Sequence, residues 1–274
     1  VKYEIEDCAF PNLDNIIITD SSELAFTDSD YILLVGAKPR SKGMQRADLL
    51  LDNANIFQKH AAIINQCVSS DTKIIVVGNP ANTNALIVQN FATNVPSKNI
   101  TSLMKLDQNR AKSILSNKLN ISVSQISQLA VWGNHSATQF PDLNHSLVSN
   151  NDVPIKSLDQ KWIEDTFIPR VQKRGAEIIE HRGKSSAASA ASAIYDHLYI
   201  LVNGSKDWES MGVMMENTYG INDEIFFSFP LQVLDSNIDI IDGLDVSEVS
   251  MKYIKDSEKE LLMERDIIKE ILKG

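Results

Sequence analysis

Two short apolar runs, residues 31–35 and 73–77, each stop at a glycine, Gly36 and Gly78, and one long helical pattern lies between them. Continuous apolar strands of this kind mark a parallel sheet buried on both faces, because the connecting helices cover it. An open parallel sheet binds its ligands outside the carboxyl ends of its strands. The residues after Gly36 and Gly78 are therefore the first place to look for chemistry. After Gly36, residues 37–46 carry Lys38, Arg40, Lys42 and Arg46, a basic loop in a chain whose formal net charge is −10. After Gly78 comes Asn79-Pro80-Ala81-Asn82-Thr83-Asn84, rich in tight-turn residues, with Asn82, Thr83 or Asn84 expected to cap an apolar helix over residues 85–91.

The helical pattern between the runs places Leu49, Leu50, Ile56, Phe57, Ile63, Ile64, Cys67 and Val68 on one stripe. Asn53 and His60 fall on the same stripe, and polar groups on a core-facing side need partners, a bound polar ligand being one candidate. Upstream, the β-branched run 15–19 reads as a first strand and 21–26 as a short helix. Downstream, helices are expected over 162–181 and 185–202, the second rich in Ala and Ser and so suited to close packing within a subunit or across a dimer. Strands follow at 212–215, 224–229, 231–234 and 238–241, and an amphipathic helix over 247–273 closes the chain. The expected fold is α/β: a Rossmann-like parallel sheet over residues 1–98, then an α+β substrate and catalytic domain over 99–274.

Residues 106–110, Leu-Asp-Gln-Asn-Arg, and 132–136, Trp-Gly-Asn-His-Ser, carry the strongest chemical signal. Ala111, Ile114, Leu115 and Leu119 follow the first at helical spacing, and a short apolar run, 129–132, leads into the second. A helix start and a strand end can thus bring Asp107 to His135. A carboxylate beside an imidazole sets its tautomer and stabilises the imidazolium when the ring accepts a proton, and Arg110 adds a planar fork for a substrate carboxylate. The plain alternative is an i,i+3 surface pair between Asp107 and Arg110, worth a few tenths of a kcal/mol, with His135 merely capping a loop. His135, Asp142 and His145 do not match a common metal-ligand spacing, so no metal is expected. At 43% hydrophobic and 23% charged the chain has a globular profile, and no apolar run reaches membrane-spanning length. Its acidity argues against nucleic acid as a partner. Cys8 and Cys67 alone support neither a disulfide framework nor a thiolate zinc site and fit a reducing compartment.

Asp107 and Arg110 in LDQNRA, followed by WGNHSATQFPD, resemble the catalytic segment of malate dehydrogenases of the cytosolic type. The resemblance extends through EDCAFP at 6–11, VGAKPRSKGMQRADLL, VGNPANTNAL and SMGV. It implies that His135 is the proton acceptor and Asp107 its orienting partner. Arg110 would grip the substrate's first carboxylate, Arg46 polarise the reacting oxygen and Arg40 pair with the second carboxylate. Asn79 would touch the substrate from the cofactor side. Asn53, His60, Val77, Gly78 and Asn79 would occupy positions that contact NAD, although His60 stands where the family has Gln. Malate and oxaloacetate, a homodimer and a cytoplasmic location are likewise what the resemblance implies.

The family opens with a strand, a glycine-rich turn, a helix and a second strand ending in an acidic residue that reads the ribose. No GxGxxG or GxxGxxG occurs in this sequence. The expectation is an N-terminally incomplete dehydrogenase in which the strand at 15–19 is parted from that at 31–35, and in which NAD and NADP are not distinguished. Two alternatives accompany it: a non-catalytic remnant that binds no dinucleotide, and a lactate-type 2-hydroxyacid dehydrogenase, which Arg40 disfavours.

Overall fold

The computed structural model describes residues 1–38, 46–149, 155–214, 218–222 and 224–273, apart from the side chains of Arg46 and Lys156. Helices α1 (Lys2–Asp7) and α2 (Ser22–Phe26) lead to β1 (Tyr31–Leu34), α3 (Arg46–Cys67), β2 (Lys73–Val76), α4 (Ala81–Phe91) and β3 (Ile100–Leu103). The three strands are parallel neighbours, with Ile32 beside Ile74 and Ile75 beside Thr101. Helix α5 (Lys105–Leu119) starts almost at once, followed by the short strands β4 (Ile126–Ser127), β5 (Ala130–Trp132), β6 (Phe140–Asp142) and β7 (Leu147–Val148). Next, α6 (Gln160–Trp162), a π-helical segment (Ile163–Phe167) and α7 (Ile168–Arg182) run without a break until Gly183, whose φ of +72° closes the helix in the left-handed conformation that glycine adopts readily. The chain finishes with α8 (Ala188–Asn203), β8 (Glu209–Val213), β9 (Phe227–Leu234), β10 (Asn237–Ile240), α9 (Glu248–Ile267) and α10 (Lys269–Leu272).

The α/β expectation holds, and the two halves share one sheet. Strand β8 joins β3 antiparallel through Ser102 with Gly212 and Leu103 with Met211, giving the order β1-β2-β3-β8-β9-β10. Two cores flank it. One gathers Trp132, Phe227, Phe229 and Ile254; the other gathers Phe57, Ile74, Val76 and Ile87, and also takes in Phe226 and Ile268 from the second half. The halves are therefore fastened by backbone pairing and by buried apolar side chains together.

Four expectations change. Residues 15–19 form no strand, and Ile17 and Ile18 are 66% and 74% exposed, because an extended segment becomes a strand only when another strand pairs with it. Strand β1 is buried on alternate residues only: Ile32 and Leu34 enter the core, while Tyr31 and Leu33 of the opposite face are exposed. Helix α4 begins at Ala81, so Asn82, Thr83 and Asn84 lie inside it rather than capping it; the Asn84 N–H donates to the Pro80 carbonyl and closes the first turn. Strand β9 runs straight through Pro230, where two strands were expected, because β8 keeps register on both sides of it, Met211 with Phe229 and Glu209 with Leu231.

The β3–β8 junction is tight. A Cβ on Gly212 would lie 1.9 Å from Ser102 Oγ and 3.1 Å from Asn82 Nδ2, so only a residue without a side chain lets the strands meet. Gly212→Ala should destabilise the protein by about 1–3 kcal/mol in urea unfolding. Adding Ser102→Gly should return most of that loss; strictly additive losses would contradict the packing account.

Candidate active site

Asp107 stands in the first turn of α5, where the helix dipole favours a negative charge, and it has no exposed surface. Strand β5 ends at Trp132, and Gly133, at φ +97°, bonds both ways with Ser228 of β9 and turns the chain so that His135 faces α5. His135 Nδ1 and Asp107 Oδ2 are hydrogen-bonded. Arg110 Nη1 donates to the other oxygen, Asp107 Oδ1, at 3.1 Å, and its Nη2 donates to Ser186 Oγ at 3.2 Å. Burial pushes the Asp107 carboxyl up, yet His135, Arg110 and a hydrogen bond from the Gln139 side chain outweigh it and hold the group below the ordinary carboxylate value. A carboxylate at Nδ1 keeps the ring proton there and leaves Nε2 to give or take a proton. With Asp107 fully buried, the surface-pair alternative is excluded.

The neighbouring loop is locked to this pair by Asn82. Its Oδ1 accepts from the His135 N–H at 3.2 Å, and its Nδ2 donates to the carbonyls of Gly133 at 3.3 Å and Phe226 at 3.0 Å. From sequence, Asn82 reads only as one of three candidate helix caps, with Thr83 and Asn84. The signal that could have found it is three side-chain amides within six residues after a strand end. Asn79 lies three residues earlier, exposed, with a cis bond to Pro80. Gly78 is pressed against the loop that leaves β1: a Cβ there would meet the Gly36 carbonyl at 2.9 Å and Ala37 and Phe57 at 3.0 Å. Gly36 itself borders open space, so of the two strand ends it is the one that presents bare backbone.

Arg40 lies outside the described residues, as does the side chain of Arg46, the first residue of α3. Asn53 is wholly buried, its Oδ1 accepting from the Lys38 N–H at 2.7 Å and its Nδ2 donating to the carbonyls of Lys38 and Leu49. With its amide committed to the backbone, Asn53 fastens the start of the basic loop to α3, a role that spacing alone did not suggest. Lys38 Nζ adds an ion pair to Asp52 at 2.5 Å. His60 packs edge-on against Phe26 at 5.7 Å, and burial lowers its imidazole pKa. Among the described residues no group of three or more His, Cys, Asp or Glu could hold a metal ion, and no helix is long and apolar enough to cross a membrane.

A parallel sheet whose strand ends open beside a buried Asp–His pair offers a ligand cleft next to a group able to move a proton. The sequence profile of the lactate/malate dehydrogenase NAD-binding domain matches residues 1–101, and that of the lactate/malate dehydrogenase alpha/beta C-terminal domain matches residues 104–272. The chain belongs to the lactate/malate dehydrogenase family of NAD-dependent oxidoreductases. Among solved structures, malate dehydrogenase from Naegleria fowleri is 42% identical, superposes with a TM-score of 0.94, and is covered over 83% of its length by 98% of this chain. Trichomonas vaginalis lactate dehydrogenase in complex with NADH and oxamate is 33% identical with a TM-score of 0.93, the match spanning 99% of this chain and 85% of that one. Malate dehydrogenase from Plasmodium falciparum, at 20% identity and a TM-score of 0.86, shares the fold, over 99% of this chain and 86% of that one.

Because the Asp107 carboxyl is held low in the folded protein, its stabilising effect is complete above the unfolded value of about 4 and is lost as pH falls through the lower native one. Asp107→Asn should cost about 3–5 kcal/mol at neutral pH, since it breaks a buried charged pair. Unfolding curves from pH 7 downward should show the two proteins converging as acid removes the wild-type advantage. A constant gap across that range would contradict the assignment.

Proposed function

We propose that the protein catalyses reversible oxidation of (S)-malate to oxaloacetate with NAD. The observation that carries the reading is the buried Asp107 bridging His135 and Arg110. In the forward direction neutral His135 takes the hydroxyl proton at Nε2, and the Asp107 carboxylate across the ring at Nδ1 stabilises the imidazolium that results. In reverse, protonated His135 polarises the oxaloacetate carbonyl. Arg110, one Nη already bonded to Asp107, presents its remaining N–H groups to the carboxylate next to the reacting carbon and fixes the substrate's orientation. NAD, when bound, supplies the hydride acceptor. Val77, Gly78 and Asn79 would hold its nicotinamide end, with the open side of Gly36 next to Gly78; His60 would contribute further along α3, while Asn53 would act through the loop it anchors.

Arg46 and Arg40 complete the reading as the groups that would polarise the reacting oxygen and pair with the distal carboxylate. Arg40 is what separates a malate from a lactate enzyme here, and the likeness to a lactate dehydrogenase makes that the point to test. A site built around an arginine disfavours pyruvate, which leaves that charge unpaired at a cost of about 3–5 kcal/mol, a discrimination on the order of a hundredfold or more. A homodimer acting in the cytoplasm completes the proposal.

Oxaloacetate-dependent NADH oxidation by the chain should fall to a small residual rate in His135→Asn. Arg40→Leu should narrow the oxaloacetate-to-pyruvate preference by at least about tenfold. An unchanged ratio would sink the role of Arg40, and no wild-type turnover of either acid would favour a non-catalytic remnant.

A further inference from the structure

We propose that Glu260 and Glu264 of α9 are positioning residues for His135, holding the chain on either side of it so that its ring is presented to Asp107. Residues 260 and 264, with Ser257 one turn earlier, occupy a single helix face, and all three are buried. That face meets residues 133–138. Asn134 Nδ2 donates to Glu260 Oε2 at 3.0 Å and to Glu264 Oε1 at 3.3 Å, while the Asn134 N–H donates to Ser257 Oγ at 2.8 Å. Ser136 Oγ also donates to Glu260 Oε2, and Thr138 Oγ1 reaches the same oxygen at 2.6 Å.

Residues 134, 136 and 138 thus bond to α9, and His135, between the first two, bonds to Asp107 on α5. Residues 135–138 form a bend and a turn, in which the Ser136 N–H donates to the Asn134 carbonyl at 2.7 Å. Bonding residues 134, 136 and 138 to one helix pins this turn on both sides of His135 and leaves its ring to meet Asp107. Glu264 closes the clamp from a second direction. Its Oε2 accepts from Thr83 Oγ1, next in sequence to Asn82, whose Oδ1 accepts the His135 N–H. The packing leaves no slack, since a Cβ on Gly133 would lie 2.1 Å from Ser257 Oγ. A glutamine in place of either glutamate would turn one acceptor oxygen into an NH₂ group facing hydroxyl and amide donors.

The inference rests on His135 as the proton-transfer group, and its test has one arm that does not depend on turnover. In histidine-labelled protein the Nδ1 proton of His135, bonded to a buried carboxylate, should give an exchange-protected downfield NMR signal. Glu260→Gln and Glu264→Gln should lose or broaden it while the signals of His197, buried elsewhere in the core, stay in place and report an intact fold. In steady-state assays with oxaloacetate, kcat should fall about 10- to 100-fold with little change in KM. The loss should vanish when the same change is made in His135→Asn, whereas a merely structural defect would lower the residual rate of that background equally.

A His135 signal and a kcat unaltered in folded variants would overturn the proposal, as would an equal loss in both backgrounds. If the glutamine variants do not fold, Thr83→Val and Ser136→Ala remove one donor each and should give smaller losses in the same two readouts; no change in either would be decisive against it. A wild-type chain inactive on both 2-oxo acids would overturn the proposed reaction, and the NMR arm would still decide the positioning role.

Discussion

A carboxylate with no exposed surface is tolerated only when other groups supply what water would have supplied, and Asp107 obtains this from three side chains, two in the β5–β6 loop and one on its own helix. His135 comes from the loop after β5, Arg110 from the next turn of α5, and Gln139 from the approach to β6. Each donor is useful only where its own backbone is held, so the requirement spreads outward. It reaches Asn82 in α4, Ser228 in β9 and the buried face of α9. The pair at the centre is local, while the scaffold that fixes it uses both halves of the chain.

The join between those halves follows the same logic. Strand β3 ends where α5 begins, and β8 pairs with β3 immediately before that point, so the start of α5 hangs from an interior strand paired on both sides. Lys105, in the first turn of α5, forms a buried ion pair with Glu209 of β8, and Gln108 Nε2 donates to the carbonyls of Leu129 and Trp208. Burial raises the Glu209 carboxyl and lowers the His197 imidazole to about 3, the second reinforced by the Lys105 charge. A neutral His197 bonded to Thr101 Oγ1 at 3.0 Å is thus part of the support beneath α5, distinct from His135, the proposed proton acceptor.

Residues that carry chemistry were easier to find in the sequence than residues that aim them. Asp107, Arg110 and His135 announce themselves because acidic, basic and imidazole groups cluster in short motifs at a helix start and a strand end. Glu260 and Glu264 sit in a charged amphipathic helix where two more glutamates attract no notice. Their clue is that they share a face with Ile254, Leu261 and Ile268, and so point inward, which one-dimensional spacing shows only weakly. Asn53 illustrates the converse. Its place on an apolar stripe suggested a ligand, and the partner proved to be the backbone of Lys38, fifteen residues back in the chain.

By itself, the order of apolar runs, glycines and helical stripes determined the α/β architecture and the two strand ends beside which the site lies, because periodicity and turn chemistry are local properties. It also carried the proposed chemistry, since proton transfer beside an anion-binding arginine is suggested by residue type. Tertiary structure alone decided that residues 15–19 form no strand, that β1 is covered on one face, and that β9 passes through Pro230. Each depends on which strand, if any, lies alongside. The burial of Asp107, which sets its i,i+3 pair with Arg110 apart from an ordinary surface pair, was decided there too, because burial is set by what the rest of the chain packs over a residue and not by its neighbours in sequence.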